Sequence, residues 1–331
     1  MQGPLFAPAD PSVPPHSCGT SESQGELAWL DGLFLPRHSL CLPVGDAGFV
    51  MGATVTEQLR TFGGRLFLPA QHEERLRRSL EVVGIKPRQP LDTVFRAAVG
   101  LAAHNHSVEF AAVPTPSAVG DLGLVVFVTP GNQPSQHRGE PGTPRVAIHT
   151  FPLAFATWAR AYREGVSLRT VSIRQVPDAC WPIHAKVRSR LHYFLADREA
   201  HTAEPGARAV LLHADGRVSE TSTANIAIVR GGVISTPPPA DALAGVSMRH
   251  LRGLAESAGV EWRERSFTTA DLTEADEILL TSTPSCLLPA TRFDGRPVGG
   301  GRPGPVQSAL LAAWSRGVGL DIEGQARSWE R

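Results

Sequence analysis

The hydrophobic positions in the first half of the chain follow two periods, one typical of helices and one of strands. After Pro69, the residues His72, Leu76, Leu80 and Val83 fall on one helical face, which predicts a helix over residues 69–83. Short apolar runs between turn-forming residues predict strands, and Asp31-Gly32 predicts the turn of a hairpin. The remaining predicted elements of this half are a helix over 91–104, the hairpin over 28–34 and strands over 40–44, 55–61, 122–129 and 145–150.

The second half repeats this mixture without a regular alternation of strand and helix, which predicts an α+β fold rather than a doubly wound sheet. Its predicted strands are 167–176, 210–213 and 276–281, with a hairpin over 225–234, and its predicted helices are 187–201, 247–259 and 304–316. A chain of 331 residues favours two domains. We expect a small domain over 26–152 and a larger one over 153–320, with the crossing within 151–165. The residues 1–25 are rich in Pro, Ser and Gly, which predicts a disordered tail, and a polar tail is expected over 321–331.

Charge and cysteine usage exclude several classes of function. The formal net charge is zero, so nothing indicates binding to nucleic acid or to an anionic membrane. The four cysteines are far apart and form no CxxC spacing, which argues against disulfides and a metal site and favours the cytoplasm. No apolar run approaches the length of a membrane span, and the N-terminus lacks the pattern of a signal peptide.

Lysine is rare in this chain, and this rarity draws attention to Lys186. The chain has only two lysines, Lys86 and Lys186, among 32 lysine and arginine residues. A Schiff base requires an amine that can lose its proton, which guanidinium does not supply. Lys86 follows the first predicted helix, where a solvated lysine is expected. Lys186 precedes a predicted helix, so an ordinary lysine at a helix start is the alternative interpretation.

Four further segments carry residues that suit a phosphorylated cofactor, although none is specific alone. Glu220 lies among small hydrogen-bonding residues that are also typical of a turn. Val246 and Ser247 open a predicted helix, whose N-terminus attracts anions. Thr283 follows a predicted strand directly, and Arg60 offers a planar fork that suits phosphate. An ordinary turn, helix end or surface arginine remains the alternative for each.

Taken together, these segments resemble the fold-type IV pyridoxal-phosphate enzymes, which include branched-chain aminotransferases, D-amino-acid aminotransferases and aminodeoxychorismate lyases. The resemblance extends from about Trp29 to about Trp314, in the same order and spacing as in the family. The segments that carry it are VMGATVTEQLRTFGGRLFLPAQHEERLRRSL, HAKVRSRLHYFLADREA, GRVSETSTANIAIVRGGVISTP, LAGVSMRHLRGLAESAGVEWRER and ADEILLTSTPSCLLPATRFDGRPVGGGRPGPV.

The resemblance implies a fold, a cofactor and a role for each candidate residue. It implies a small N-terminal α/β sandwich, a larger C-terminal pseudo-barrel domain and a homodimer. Pyridoxal 5′-phosphate would form a Schiff base with Lys186, and Glu220 would pair with its pyridine nitrogen. The implied phosphate ligands are Arg60, Val246, Ser247 and Thr283. The implied reaction transfers an amino group between an amino acid and a 2-oxo acid.

Several positions depart from the branched-chain enzymes. The tyrosine that those enzymes carry five residues after the lysine is Leu191 here, and Tyr193 falls two residues later. Pro284 stands where those enzymes use a backbone N–H for the substrate carboxylate, and proline has no N–H. His137 falls where D-amino-acid aminotransferases carry a histidine, with Arg138 beside it. An aminotransferase is therefore expected, and a lyase of the aminodeoxychorismate type or a non-catalytic cofactor-binding paralogue are the alternatives.

Overall fold

The computed structural model describes residues 5–6, 25–110 and 120–330. The chain divides into two compact units: the described residues up to Leu153 together with Ala185–Ser189, and Ala154–His184 together with the described residues from Arg190 onward. The segment with Lys186 therefore groups with the first unit although it is distant in sequence. The domain limits 26–152 and 153–320 stay a prediction, and the tail predicted over 1–25 lies outside the described residues except at positions 5, 6 and 25.

The first unit is built on one antiparallel sheet with the strand order β2-β1-β6-β5-β3-β4. Apolar side chains of helices α2 and α3 pack against it, and Leu59, Leu76, Leu101 and Leu124 are fully buried in this core. In chain order, the elements are β1 (Leu27–Leu30), β2 (Leu33–Pro36), a 3-10 helix (Arg37–Ser39), α1 (Ala47–Val50), β3 (Val55–Phe62), β4 (Arg65–Leu66), α2 (Pro69–Val83), α3 (Leu91–Phe110), β5 (Leu122–Thr129), a second 3-10 helix (Pro134–Gln136) and β6 (Arg145–Pro152).

The second unit contains a larger mixed sheet with the strand order β12-β11-β10-β13-β14-β7-β8-β9, and β15 pairs with β14. In chain order, the elements are α4 (Phe155–Glu164), β7 (Val166–Arg174), α5 (Leu191–Ala203), β8 (Arg208–Leu212), β9 (Val218–Thr221), β10 (Asn225–Arg230), β11 (Val233–Thr236), α6 (Val246–Ser257), β12 (Trp262–Glu264), α7 (Thr269–Thr273), β13 (Glu277–Ser282), β14 (Cys286–Phe293), β15 (Arg296–Pro297), α8 (Pro305–Val318) and α9 (Ile322–Arg327).

This larger sheet curls toward closure. Strand β9 ends one side of the strand order, whereas β10 lies near the opposite side, yet only residues 222–224 connect them. The N–H of Thr221 donates to the carbonyl of Ala224 at 3.0 Å and tightens this connection. Because so short a connection joins strands from the two ends of the sheet, the sheet bends back on itself. Glu220 lies on β9, directly before this connection.

Most of the predicted elements are confirmed. The hairpin about Asp31-Gly32, the helix over Pro69–Val83 and the strand over Leu122–Thr129 have the predicted positions. The strand predicted over 40–44 is wrong, because no strand forms in this described segment. The first compact unit ends at Leu153, which lies within the range 151–165 where the crossing is expected, and this range also contains helix α4. The tail after Leu320 contains α9, because Ile322 and Ala326 are buried there and its Asp321 side chain caps it at the N–H of Gly324.

None of the helices in the described ranges combines the length and the apolar character needed to cross a membrane. The same part of the chain holds no group of three or more His, Cys, Asp or Glu side chains placed to bind a metal ion.

Candidate active site

The segment with Lys186 is extended backbone, which corrects the predicted helix over 187–201. Strand β4 pairs only with Thr61 and Phe62 of β3, so the start of β3 is open on that side. The lysine segment occupies this edge: the N–H of Thr56 donates to the carbonyl of Lys186 at 3.0 Å, and the N–H of Arg188 donates to the carbonyl of Thr54 at 2.8 Å. These ladder bonds satisfy the segment's backbone groups, so helix α5 begins only at Leu191.

Helix α2 holds the lysine segment from a second side. The N–H of Lys186 donates to the hydroxyl of Ser79 at 3.1 Å, and that hydroxyl donates to the carbonyl of Arg75 at 3.0 Å. The hydroxyl is therefore fixed as a donor to its own helix and as an acceptor for Lys186. Lys186 itself is half-buried, whereas Lys86 is exposed just beyond the end of α2. These contacts distinguish the two lysines of the chain.

A buried cluster of charged groups lies beside this contact. The carboxylate of Glu57 accepts two hydrogen bonds of 2.8 Å from the guanidinium of Arg75, and it is 2.7 Å from Nδ1 of His72. Burial raises the pKa of Glu57, but the charge and hydrogen bonds of Arg75, together with His72, outweigh it and hold this pKa at about 2. Burial lowers the pKa of His72, and the positive charge of Lys186 adds to this lowering. Lys186 therefore lies close enough to this cluster to influence it.

Arg60 lies further along β3, in different surroundings. Its Nε donates to the carbonyl of Thr61 at 3.1 Å, its guanidinium lies 4.0 Å from the ring centre of Phe62, and it is 4.0 Å from the carboxylate of Asp121. Arg60 is four residues beyond Thr56, the contact of Lys186, which corresponds to about 13 Å along a strand. Arg75, in contrast, is one helical turn from Ser79. The structure thus places Arg75 nearer to the lysine segment than the predicted Arg60.

Glu220 lies in the second unit, in a polar but buried setting. It is 6% exposed. Its Oε1 accepts hydrogen bonds of 2.6 Å from the hydroxyl of Tyr193 and 3.5 Å from the side-chain amide of Gln175, and its Oε2 accepts one of 3.0 Å from the side-chain amide of Asn225. Hydrogen bonds donated to a carboxylate favour its ionised form. Such a group suits a cationic ring N–H.

The N-terminus of α6 lies near Asn225 and carries the predicted phosphate ligands. Helix α6 begins at Val246, and no side chain caps its first turn, so its leading N–H groups suit an anion. The hydroxyls of Ser247 and Thr283 are 3.3 Å apart and both are buried. A Cβ at Gly245 would lie 1.9 Å from Oδ1 of Asn225, so only glycine permits this approach. Asn225 therefore links Glu220 to the start of α6.

The predicted site residues fall into two groups. Within the second unit, Glu220, Ser247 and Thr283 converge around Asn225 and the first turn of α6, which also contains Val246. Within the first unit, Lys186 lies beside α2 and away from Arg60. Sequence reasoning missed Ser79 and the hydrogen bond from Tyr193 to Glu220. A signal for Tyr193 was present, because it is one of only two tyrosines in the chain.

Comparison with known proteins identifies the class of this site. The family model of amino-transferase class IV matches residues 54–293. The D-alanine aminotransferase of Bacillus licheniformis is 29% identical over 85% of this chain and 94% of that protein. The branched-chain-amino-acid aminotransferase of Salmonella typhimurium is 27% identical over 88% of this chain and 92% of that protein. A solved branched-chain amino acid aminotransferase in complex with N-(5′-phosphopyridoxyl)-L-glutamate has a TM-score of 0.74 at 24% identity, covering 89% of this chain and 95% of that one.

The chain belongs to the class IV aminotransferase family. It is a pyridoxal-phosphate-dependent aminotransferase, so the predicted family, activity and cofactor are confirmed. The likeness to the solved structure also confirms the predicted fold-type IV architecture. The residues of this chain fit the cofactor: Glu220 suits its pyridine nitrogen, and the hydroxyl pair at the start of α6 suits its phosphate.

Proposed function

We propose that Lys186 is the covalent anchor and proton carrier of this aminotransferase, and that Glu220 pairs with the pyridine nitrogen of the cofactor. The observation that carries the proposal is the buried carboxylate of Glu220, which accepts hydrogen bonds from Tyr193 and Asn225. Support for Lys186 comes from its ordered backbone contacts with Thr56 and Ser79. The only other lysine, Lys86, is exposed and follows the end of a helix.

The phosphate of the cofactor is assigned to the first turn of α6 and to Thr283. The N–H groups that begin at Val246, with the hydroxyls of Ser247 and Thr283, supply donors and the positive end of a helix of 12 residues. We also propose an arginine as a ligand of the phosphate. Arg60 is the residue that the resemblance implies, but the contact between Ser79 and Lys186 favours Arg75, one turn earlier on the same helix.

The roles of these residues follow from their chemistry. The bound cofactor supplies an electron sink for the bonds of the substrate's α-carbon. Glu220, as an anion, keeps the proton on the pyridine nitrogen and so maintains that sink. Lys186 Nζ would take the proton from the substrate's Cα, as a base held at high effective concentration. The phosphate ligands would hold the cofactor in a fixed position beside these residues.

The substrates are an amino acid and a 2-oxo acid, and Pro284 restricts how their carboxylate is bound. Proline has no N–H, so position 284 cannot donate a backbone hydrogen bond. The turn around it is held instead by the hydroxyls of Ser282 and Ser285, which are 2.8 Å apart, and by a bond of 2.7 Å from the hydroxyl of Tyr162 to the carbonyl of Ser285. We therefore propose that the substrate carboxylate is bound by groups other than a backbone N–H of residue 284.

A half-reaction screen tests the proposed function. Purified protein is given single D- and L-amino acids, and its visible absorbance is followed. A spectrum that changes with an amino acid and returns with a 2-oxo acid is expected. Release of pyruvate from aminodeoxychorismate would instead indicate the lyase. A spectrum that no amino donor changes would contradict both activities and favour a non-catalytic paralogue.

The active protein is proposed to be a homodimer. Large apolar side chains are exposed in one segment of the first unit, namely Val44 (80%), Phe49 (78%) and Met51 (64%). A group of such side chains on a surface is typical of an interface, and a second copy of this chain is the proposed occupant. Light scattering should give twice the chain mass, and Phe49→Asp should lower it. An active monomer at working concentration would exclude the dimer.

A cytoplasmic location is also proposed. Two of the described cysteines, Cys41 and Cys180, are exposed and form no disulfide. Exposed unpaired thiols persist in a reducing compartment. Cell fractionation tests this, and recovery of the protein outside the cytoplasm would contradict it.

A further inference from the structure

A row of three side chains leads through the second unit to the carboxylate of Glu220. Nε2 of His192 is 3.1 Å from Oε1 of Gln175, Nε2 of Gln175 is 3.2 Å from the hydroxyl of Tyr193, and that hydroxyl is 2.6 Å from Oε1 of Glu220. The last bond is the shortest of the three. It joins a phenol to a carboxylate, which is a charge-assisted pairing.

The direction of every hydrogen bond in this row follows from its neighbours. The amide oxygen of Gln175 accepts from the N–H of Val176 at 3.0 Å, so its Nε2 faces the other way as a donor. This Nε2 also lies 3.1 Å from the hydroxyl of Ser219, which itself donates to the carbonyl of Asp241 at 2.6 Å and can therefore accept. The Tyr193 oxygen accepts from Gln175 at 3.2 Å, and the same Nε2 lies 3.5 Å from Oε1 of Glu220. The single proton of Tyr193 is directed to Glu220 at 2.6 Å.

The ring of Tyr193 is held in place independently of its hydroxyl. The guanidinium of Arg190 lies 4.4 Å from the ring centre, and the ring of His192 lies 3.9 Å from it. Burial, followed by the charge and hydrogen bond of Glu220, raises the pKa of Tyr193 well above 10. The phenol therefore keeps its proton at working pH and acts on Glu220 only as a donor.

We propose that Tyr193, oriented by Gln175, is a positioning residue that fixes Glu220 as an anion and thereby keeps the proton on the pyridine nitrogen. This inference rests on the proposed pairing of Glu220 with that nitrogen. A hydrogen bond donated to a carboxylate lowers its proton affinity. Without the Tyr193 donor, the buried Glu220 attracts the shared proton more strongly, and the ring loses part of its positive charge.

Tyr193→Phe isolates this effect, because it removes the hydroxyl and keeps the ring between Arg190 and His192. The holoenzyme is loaded with cofactor labelled with ¹⁵N at the pyridine nitrogen, whose chemical shift reports its protonation. We expect the signal of Tyr193→Phe to move toward neutral pyridine, and that of Glu220→Gln to move further. We also expect kcat to fall about tenfold, as for loss of a hydrogen bond to a charged group, with little change in KM for the amino acid.

A second measurement needs no change at Tyr193. The chain has two tyrosines, so protein labelled with ¹³C at the tyrosine Cζ gives two signals, and Tyr162→Phe assigns them. The hydroxyl of Tyr162 donates to the carbonyl of Ser285, so its signal serves as an internal control. At pH 8, Glu220→Gln should move the Tyr193 signal away from the phenolate position and leave that of Tyr162 in place.

The outcomes separate this inference from the proposed function. If Glu220→Gln changes the ¹⁵N signal and Tyr193→Phe does not, the role of Tyr193 is wrong and that of Glu220 stands. If neither variant changes it, the pairing of Glu220 with the ring is wrong. If Tyr193→Phe does not fold, the ¹³C comparison decides, and equal Tyr193 signals in wild type and Glu220→Gln overturn the inference.

Discussion

The hydroxyl of Ser79 accepts a hydrogen bond of 3.1 Å from the backbone N–H of Lys186, although the two residues are 107 positions apart. The same hydroxyl donates to the carbonyl of Arg75, so one side chain joins helix α2 to the lysine segment. Strand β3 holds this segment from its other side through Thr56. The backbone of Lys186 is thus fixed by partners on two elements, while its side chain stays half-buried.

Ser79→Ala is expected to leave the Lys186 N–H without this acceptor. The free energy of unfolding should fall by about 1–2 kcal/mol, the cost of an unsatisfied buried group, and kcat should fall several-fold because the lysine is held less firmly. The control is Ser257→Ala, because Ser257 makes the equivalent bond to Gly253 on an exposed helix surface. Urea titration and steady-state kinetics measure both effects. Equal behaviour of the two variants would show that Ser79 has no special role.

Lys186→Ala should abolish covalent trapping of the cofactor by borohydride and the absorbance of the bound cofactor, because no other amine replaces Lys186 Nζ. Lys86→Ala is the matched control, and it should keep both properties, since Lys86 is exposed beyond α2. Mass spectrometry of the reduced protein locates the modified residue. Retained trapping in Lys186→Ala would transfer the role to Lys86 and overturn the site.

Whether Arg60 or Arg75 binds the phosphate can be tested by comparing the binding of pyridoxal phosphate with that of pyridoxal. The variant that removes the phosphate arginine should weaken pyridoxal phosphate binding about tenfold to a hundredfold and leave pyridoxal binding unchanged. We expect this pattern for Arg75→Gln and not for Arg60→Gln. Arg77→Gln, which removes an exposed arginine paired with Glu73 on the same helix, is the control. The reverse pattern would restore Arg60.

Acid should destabilise this protein well above the pH at which carboxylates titrate. Burial lowers the pKa of His250 to about 4, so between pH 6.5 and 4 the unfolded chain binds a proton that the folded chain does not. Stability is therefore full above pH 6.5 and is reduced by about 3 kcal/mol at pH 4 from this group alone. His250→Phe, which keeps a ring against Trp314, should flatten the dependence of the urea midpoint on pH. An unchanged slope would contradict this assignment.

Sequence periodicity predicted an element well where the apolar residues of its buried face recur with the period of a helix or a strand. The helix over Pro69–Val83 is an example, since its buried residues His72, Leu76 and Leu80 follow the helical period. Strand β14 was missed because Pro289 in its middle argues against a central strand. The helix after Lys186 was placed too early for another reason. Residues 186–188 pair with β3, and no local pattern reveals a partner more than a hundred residues away.

In the candidate site, too, single residues could be predicted from their own segments, whereas contacts between distant segments could not. Glu220, Ser247 and Thr283 could be proposed from sequence because the order and spacing of their segments resemble the family, although no segment is specific alone. The contact between Ser79 and Lys186 and the bond from Tyr193 to Glu220 depend on how separate segments fold together. Spacing along the chain could not predict either contact. The arginine at the phosphate could not be chosen from sequence for this reason, since Arg60 and Arg75 both lie in the matching segment.

Glu220→Gln should leave binding of the cofactor intact and slow the removal of the substrate's Cα proton. The amide keeps the shape of the side chain but cannot stabilise a positive charge on the pyridine nitrogen to the same degree. The proposed phosphate ligands Ser247 and Thr283 are unchanged, so the variant should still bind the cofactor and the amino acid. Removal of the Cα proton should become slower by about a hundredfold or more, the size of a lost electrostatic contribution.

Single-turnover kinetics with an α-deuterated amino acid tests this step directly. If proton removal limits the Glu220→Gln variant, the deuterated substrate should react several-fold more slowly than the protiated one, and the isotope effect should exceed that of the wild type. Glu220→Asp, which keeps the charge on a shorter side chain, should recover part of the rate. A Glu220→Gln variant that completes the half-reaction at nearly the wild-type rate would show that Glu220 is not the partner of the ring nitrogen.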